Sequence, residues 1–271
     1  MSDLSDIAPA AVLQPQQIGG RVLPVSSWDI QTEGLGKSFG ETRIFRDVSV
    51  QLARGEAVAL VGANGAGKST LLRCLMGLIP ASAGRVSVLG TDVTQATGAQ
   101  MRGVRCRIGL VSQKHNLVPR LCVLSNVVHG LLGRHPGLRH WSHALAPATS
   151  REAALAALDK VGLAHMALRR ADRLSGGQSQ RVAIARALIG APRIIIADEP
   201  CASLDPSAGE DVMALFFELV REEGVTVVFT SHNLEHAVQY GDRVIGLADG
   251  GIKIDARARS LSVRELRGLY G

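Results

Sequence analysis

Gly62-Ala63-Asn64-Gly65-Ala66-Gly67-Lys68-Ser69 decides the fold of this chain. The octet fits the G-x-x-x-x-G-K-[ST] pattern of a phosphate-binding loop. It follows the apolar run Ala57 to Val61 and opens a helical stretch carrying Leu71, Leu72 and Leu75. Strand, loop and helix thus come in the order such a loop needs. The glycines let backbone N–H groups converge on phosphate oxygens, and the helix N-terminus adds the positive end of its dipole. Lys68 supplies a point charge to the outer phosphates, and Ser69 offers a hydroxyl to Mg²⁺, which neutralises the same oxygens.

Outward from the loop, short β-branched runs recur at Val48 to Leu52, Arg85 to Leu89, Arg107 to Val111, Arg193 to Ala197, Val225 to Thr230 and Arg243 to Leu247. Ala57 to Val61 and Val225 to Phe229 are apolar almost throughout, as central parallel strands covered on both faces require. The fold class is therefore α/β. Asp198 and Glu199 follow Ile194-Ile195-Ile196-Ala197, at the strand end where open α/β sheets place ligands. There Asp198 holds Mg²⁺, partly through water, and Glu199 orients and polarises an attacking water. Between Lys114 and Gly190 no strand stands out, whereas Arg151 to Val161 and Gln178 to Ile189 have helical spacing, so a helical lobe over about 114–190 is expected within the sheet domain. His135 to Pro147, with two prolines, a tryptophan and three histidines, reads as an irregular loop of solvated histidines.

At 271 residues the chain has room for one large domain with such an insertion. Hydrophobic residues make up 46% of it, yet each apolar run is too short to span a bilayer. Asp3 and Asp6 stand where a secretory signal would carry basic residues, which points to the cytoplasm. Cys74, Cys106, Cys122 and Cys201 show neither C-x-x-C pairing nor metal-ligand spacing and read as reduced thiols. A net charge of +6 suits polyphosphate, nucleic acid or an anionic surface alike, but aromatics at 3% offer few platforms for stacking single-stranded bases, and no nucleic-acid partner is expected. Residues 1–28 lack periodicity and are expected to form a flexible extension.

Leu174-Ser175-Gly176-Gly177-Gln178 precedes a helix bearing Val182, Ile184, Ala185 and Leu188. Ser175 and Gln178 satisfy the S-x-x-Q capping box, which is a structural helix start, while the exposed N–H groups of two glycines also make an anion site. Together with the phosphate loop and Asp198-Glu199, this LSGGQ stretch resembles the signature of the ABC ATPase family. The resemblance covers about residues 29–255, leaving 256–271 as a C-terminal helical tail. It implies a P-loop NTPase fold with a mostly parallel core sheet, an N-terminal antiparallel β subdomain and an inserted helical subdomain. It further implies that Phe39 stacks on adenine, that Gly62, Asn64, Gly65, Gly67, Lys68, Ser69 and Thr70 cradle ATP, and that Gln113 senses the metal and links to a permease. Ser203-Leu204-Asp205 is similar to the family's D-loop, with Asp205 at the nucleotide, and His232 to its switch histidine near the γ-phosphate. Locally, Asp205-Pro206 also reads as an N-cap with proline at the first helical position.

In that family two cassettes pack head to tail, so ATP on one phosphate loop is closed off by Ser175, Gly176, Gly177 and Gln178 of the other. With one of each motif, the chain is expected to pair with itself or a sister chain, on permease subunits at the cytoplasmic face of the inner membrane and indirectly with a substrate-binding protein. It has neither the long heptad insertion of DNA-repair relatives, nor the tandem cassettes of ribosome-acting ones, nor a fused membrane domain. The stretch from Gln113 through His115-Asn116-Leu117-Val118-Pro119-Arg120 to Gly133-Arg134 looks like that of phosphonate importer ATPases. Asn-Leu-x-Pro also occurs in amino-acid importers and lipoprotein-releasing ATPases, the alternative readings.

Overall fold

The computed structural model describes residues 28–135 and 137–268. The extension expected over residues 1–28 therefore lies outside the described residues, Trp28 excepted. Ten strands are described: β1 (Trp28–Phe39), β2 (Thr42–Ala53), β3 (Ala57–Val61), β4 (Ala83–Val88), β5 (Thr91–Asp92), β6 (Ile108–Ser112), β7 (Ile194–Asp198), β8 (Thr226–Thr230), β9 (Arg243–Ala248) and β10 (Gly251–Arg257). The helices are α1 (Lys68–Leu75), α2 (Gly98–Arg105), α3 (Val123–Val128), α4 (Ala148–Lys160), α5 (Gly176–Leu188), α6 (Pro206–Glu222), α7 (Leu234–Tyr240) and α8 (Val263–Arg267).

Two sheets result. β2-β1-β4-β5 is antiparallel, and β10-β9-β3-β8-β7-β6 is parallel except for β10. The alternation of side chains along the central strands divides the interior in two. Ala57, Ala59 and Val61 face a core shared with α3 to α7, whereas Val58 and Leu60 face a second core shared with α1 and the antiparallel sheet. β7 divides likewise, Ile195 and Ala197 one way and Ile194 and Ile196 the other. Burial on both faces is why these strands read as unbroken apolar runs.

The chain has only five phenylalanines, and Phe217 of α6 meets Phe229 of β8 edge-on and stacks on Tyr240 of α7, each at 4.9 Å between ring centres. Such pairs contribute about 0.5–1.5 kcal/mol beyond their area, which fixes α6 and α7 against the strand that carries site residues at its end. Between β6 and β7 the chain is helical, with α3, α4 and α5 in mutual contact. The His135–Pro147 segment contains one short 3₁₀ turn, Leu138–Trp141, and its histidines hydrogen-bond locally: His140 with Ser150, His143 with Ser125. All four cysteines are free thiols.

The expected strand at Val48 to Leu52 is the second half of β2, while β1 and β10 had no counterpart in the sequence reading. β1 pairs with β2 through four register shifts and carries Gly34 and Gly36, so its alternation is broken. β10 is a half-exposed edge strand opening on glycine.

The two sheets are joined by a buried carboxylate. Asp29, 4% exposed, accepts from Thr226 Oγ1 at 2.6 Å and from Arg193 Nη2 at 3.1 Å, and Thr226 Oγ1 accepts from Gly55 N at 2.8 Å. Arg193 Nε is buried without a partner, so Asp29 is its main compensation. Asp29→Ala is expected to lower the unfolding free energy by about 1–3 kcal/mol, the cost of stranding buried polar groups, seen as a lower urea midpoint at unchanged m-value.

Candidate functional site

β3 ends at Val61 and the chain turns through Gly62 to Gly67 into α1. Gly62 has φ +147°, and a Cβ there would lie 2.2 Å from the carbonyl oxygen of Leu247 on β9. Gly67 has φ +98°, and its Cβ would lie 2.8 Å from Ile44 of β2. The loop is thus wedged between two strands at positions only glycine can occupy. Gly65, φ +82°, faces open space, with nothing within 4 Å of its would-be Cβ. α1 starts from Gly67 with no side-chain cap and no acidic residue in its first turn, so its leading N–H groups are left to an external acceptor. This cradle fits a polyphosphate.

Lys68 is buried, and its ammonium donates to the carbonyls of Gly62 (2.7 Å) and Ala63 (3.1 Å). Burial lowers its pKa, opposed by the negative charges of Glu199 and Asp198. Two acids and one cation therefore share one field beside the loop.

At the C-terminal ends of β7 and β8 a continuous chain of polar contacts forms. Ser69 Oγ donates to Asp198 Oδ1 at 3.2 Å, and Thr230 Oγ1 donates to the same oxygen at 2.8 Å. Thr230 Oγ1 in turn accepts from the backbone N–H of Glu199 at 2.8 Å, and Glu199 Oε1 meets His232 Nε2 at 2.5 Å. Glu199 has φ +51°, a left-handed conformation that costs a non-glycine residue about 1 kcal/mol or more and concentrates at functional positions. Ser69 and Asp198 are a hydroxyl and a carboxylate side by side, the hard oxygen donors that Mg²⁺ takes. Thr230, which clamps both acids, escaped the sequence reading; its only local signal is a hydroxyl at the end of a buried strand, just before Ser231-His232. Cys201 is no nucleophile, since burial, followed by the charge of Glu210, pushes its thiol up to about 12.

Gln113 is exposed just past β6, its carbonyl accepting a long 3.5 Å bond from Ser203 Oγ. Asp205 caps α6, its Oδ1 accepting from Ala208 N at 3.0 Å, with Pro206 following. Phe39 ends β1 with its ring 52% exposed and the Lys37 ammonium 4.6 Å from its centre. Ser175 and Gln178 form the reciprocal capping box of α5 (Gln178 N to Ser175 Oγ 3.3 Å, Ser175 N to Gln178 Oε1 3.0 Å), and Gly176 lies against Leu204. Among the described residues no hydrogen bond joins Ser175 to Gln178 with the phosphate loop. The structure thus brings Lys68, Ser69, Asp198, Glu199 and His232 together and leaves the Ser175 to Gln178 surface facing outward.

The family model described as ABC transporter matches residues 45–202. The phosphonates import ATP-binding protein PhnC of Frankia casuarinae is 49% identical over 232 residues, 86% of this chain and 91% of its own length. A phosphate-import ATP-binding protein PhnC of Mycolicibacterium smegmatis is 47% identical over 234 residues, 86% of this chain and 89% of its own. Among solved structures, the dimeric post-hydrolysis state of the ATP-binding cassette MJ0796 bound to ADP and Pi has TM-score 0.74 at 33% identity, covering 86% of this chain and all of that one. The cbiO1 structure of Clostridium perfringens, part of the transporter complex cbiONQ, has TM-score 0.78 at 26% identity, covering 89% of this chain and 93% of that one.

The geometry of the loop separates its glycines. Gly62→Ala forces backbone against β9 and is expected to lower the melting temperature strongly and abolish binding of a fluorescent ATP analogue. Gly65→Ala meets no atom and is expected to cost only the left-handed penalty, about 1–2 kcal/mol, in thermal unfolding.

Proposed function

This chain belongs to the ABC transporter family, and from that premise we propose that it is the ATP-hydrolysing subunit of an importer for phosphonates. The observation that carries the ATPase reading is the chain of contacts from Ser69 through Asp198, Thr230 and Glu199 to His232, beside Lys68 and the open loop. The cargo reading rests on the relatives named for phosphonate import.

In this reading Lys68 exchanges the Gly62 and Ala63 carbonyls for the outer phosphate oxygens, while the N–H groups of Gly65, Gly67, Ser69 and Thr70, with Gly62 and Asn64 shaping the turn, hold the rest of the polyphosphate. The half-exposed ring of Phe39 stacks on adenine. Ser69 and Asp198, with Gln113, would hold Mg²⁺, partly through water, and the ion would supply charge neutralisation at the phosphate oxygens. Glu199 accepts a proton from the attacking water, and His232, already against Glu199, stands where it can donate to the γ-phosphate. Phosphoryl transfer needs positioning and charge stabilisation, which these fixed groups supply.

Ser175, Gly176, Gly177 and Gln178 reach nucleotide only on a second cassette, this chain or a sister, with Asp205 at the same interface; dimeric relatives support that pairing. No described helix is long and apolar enough to cross a membrane. In this reading separate permease subunits form the pathway, with a substrate-binding protein beyond them, and this subunit sits peripherally at the cytoplasmic face. A groove of about 370 Å³ between edge strand β6 and the helical lobe, lined by Arg105, Leu110, Asn116, His129 and Arg186, is where the permease docks. Closure of the dimer on ATP and reopening after hydrolysis would carry work to that groove.

Glu199→Gln keeps the shape of the side chain without its basicity. It is expected to retain ATP binding, lose hydrolysis by about 10²-fold or more, and accumulate as a dimer in size-exclusion chromatography with ATP and Mg²⁺. A profile showing only monomer would count against both Glu199 and the paired arrangement.

Deleting the gene is expected to abolish growth on a phosphonate as sole phosphorus source while labelled phosphate uptake continues, and the Glu199→Gln variant should fail to restore growth. The relative named for phosphate import makes the second arm decisive. Loss of phosphate uptake with phosphonate growth intact would reassign the cargo and leave the ATPase reading standing.

A further inference from the structure

The segment after Gln113 is held in a conformation it would not keep alone. His115 (φ +53°) and Asn116 (φ +51°) are consecutive non-glycine residues in the left-handed region. The conformation costs His115 about 1–2 kcal/mol and Asn116 less, and it persists where the surroundings over-determine it. His115 N donates to the Ser112 carbonyl at 3.0 Å and Asn116 N to that of Lys114, and one side chain grips the pair from outside: Arg186 Nη1 donates to the Asn116 carbonyl and Nη2 to the His115 carbonyl, both at 2.6 Å. The planar fork of a guanidinium spans two successive carbonyls as no other side chain does.

Arg186 has no ion pair among the described residues, so these two carbonyls take the charge-assisted bonds it offers. Burial lowers its pKa. The His115 ring packs in with Nε2 buried and without a hydrogen-bond partner among the described residues, and burial, followed by the charge of Arg186, lowers its pKa. Asn116 Nδ2 adds a 2.8 Å bond to Ser112 Oγ at the end of β6. The other end of the connection is rigid. Arg186 stands on α5, the helix whose first residues are Gly176 and Gly177 and whose cap is Ser175.

We infer that Arg186 is a positioning residue, a latch that makes the segment carrying Gln113 move with the helix carrying the Ser175 to Gln178 surface. A shift of α5 pulls on the His115 and Asn116 carbonyls, and Gln113 lies two residues upstream of His115. The strained pair releases if the fork lets go, which gives the connection two discrete states rather than a continuous range. The inference rests on the proposed role of Gln113 and adds the part that sets its position.

The test compares Arg186→Gln, Arg186→Lys, Gln113→Ala and the double variant Arg186→Gln/Gln113→Ala in Mg-ATP turnover by the full chain. Arg186→Gln is expected to lower kcat about 10-fold with KM for ATP changed less than about 2-fold, and Arg186→Lys to recover part of the loss. Because the latch acts through Gln113, Arg186→Gln should add less than about 2-fold in the Gln113→Ala background. His115→Val with Asn116→Val drives the segment out of the left-handed region, which β-branched residues scarcely adopt, without touching α5, and should reproduce the kcat loss even if Arg186→Gln proves poorly folded. Losses that multiply in the double variant, or full turnover in the valine pair, would overturn the latch. Unchanged turnover in Gln113→Ala alone would instead remove the assigned role of Gln113, and the latch with it.

Discussion

Thr230 Oγ1 ties the C-terminal ends of β7 and β8 together. Its hydrogen goes to Asp198 and its lone pair takes the N–H of Glu199, so one hydroxyl at the end of β8 fixes both acidic residues at the end of β7. Without it Glu199 would be free to leave its left-handed conformation, and the carboxylate would turn away from His232. The bond needs β7 and β8 to be parallel neighbours ending level with each other. Pairing of Ile194 with Thr226 through Ala197 with Phe229 achieves this. A slip of one residue would exchange every buried side chain of these strands between the two cores, so hydrophobic burial itself sets the register of the site.

The antiparallel sheet answers a second requirement. Two of the loop's three positive-φ glycines are close-packed, and β9 supplies the wall at Gly62 and Ile44 of β2 the wall at Gly67. The β2 wall stays in place because Asp29 ties β1 to Thr226 and Arg193, at the beginnings of β8 and β7. The same two strands therefore anchor the N-terminal sheet at one end and the acids of the site at the other. About 13 Å of β8 and about 17 Å from Arg193 to Asp198 along β7, at about 3.3 Å per residue, separate an ordinary structural tie from the candidate site.

What the sequence made legible follows the same division. β3, β7 and β8 announce themselves because burial on both faces leaves no polar residue to interrupt them, and the phosphate loop because its glycines and Lys68 are constrained by local geometry. Asp198, Glu199 and His232 could be placed at strand ends from their neighbours alone. β1 and β10 could not be placed, since register shifts and edge exposure erase the period of two. Val123 to Val128 is half valine yet folds as α3, because all six residues are buried against neighbours that include α4 and α5 and tertiary burial overrides propensity. Thr226, Thr230 and Arg186 act across 30 to 197 residues of sequence, and no local pattern carries that information.

One surface has no use within a single chain. α5 needs only Ser175 and Gln178 to start, and the capping box satisfies both of its reciprocal bonds. Two glycines at its first positions are then a cost without a local return, about 1 kcal/mol each against alanine in a helix. Gly176 is accounted for by Leu204, which a Cβ would approach to 3.0 Å. Gly177 has no comparable neighbour, its nearest would-be contact being 3.9 Å away. What remains is a helix end whose backbone is bared toward solvent, while the phosphate loop of the same chain lies elsewhere and is open on the side facing out. Each of these surfaces supplies what the other lacks, N–H donors on one and a place for anionic oxygens on the other, and that complementarity is what the proposed pairing of two cassettes uses.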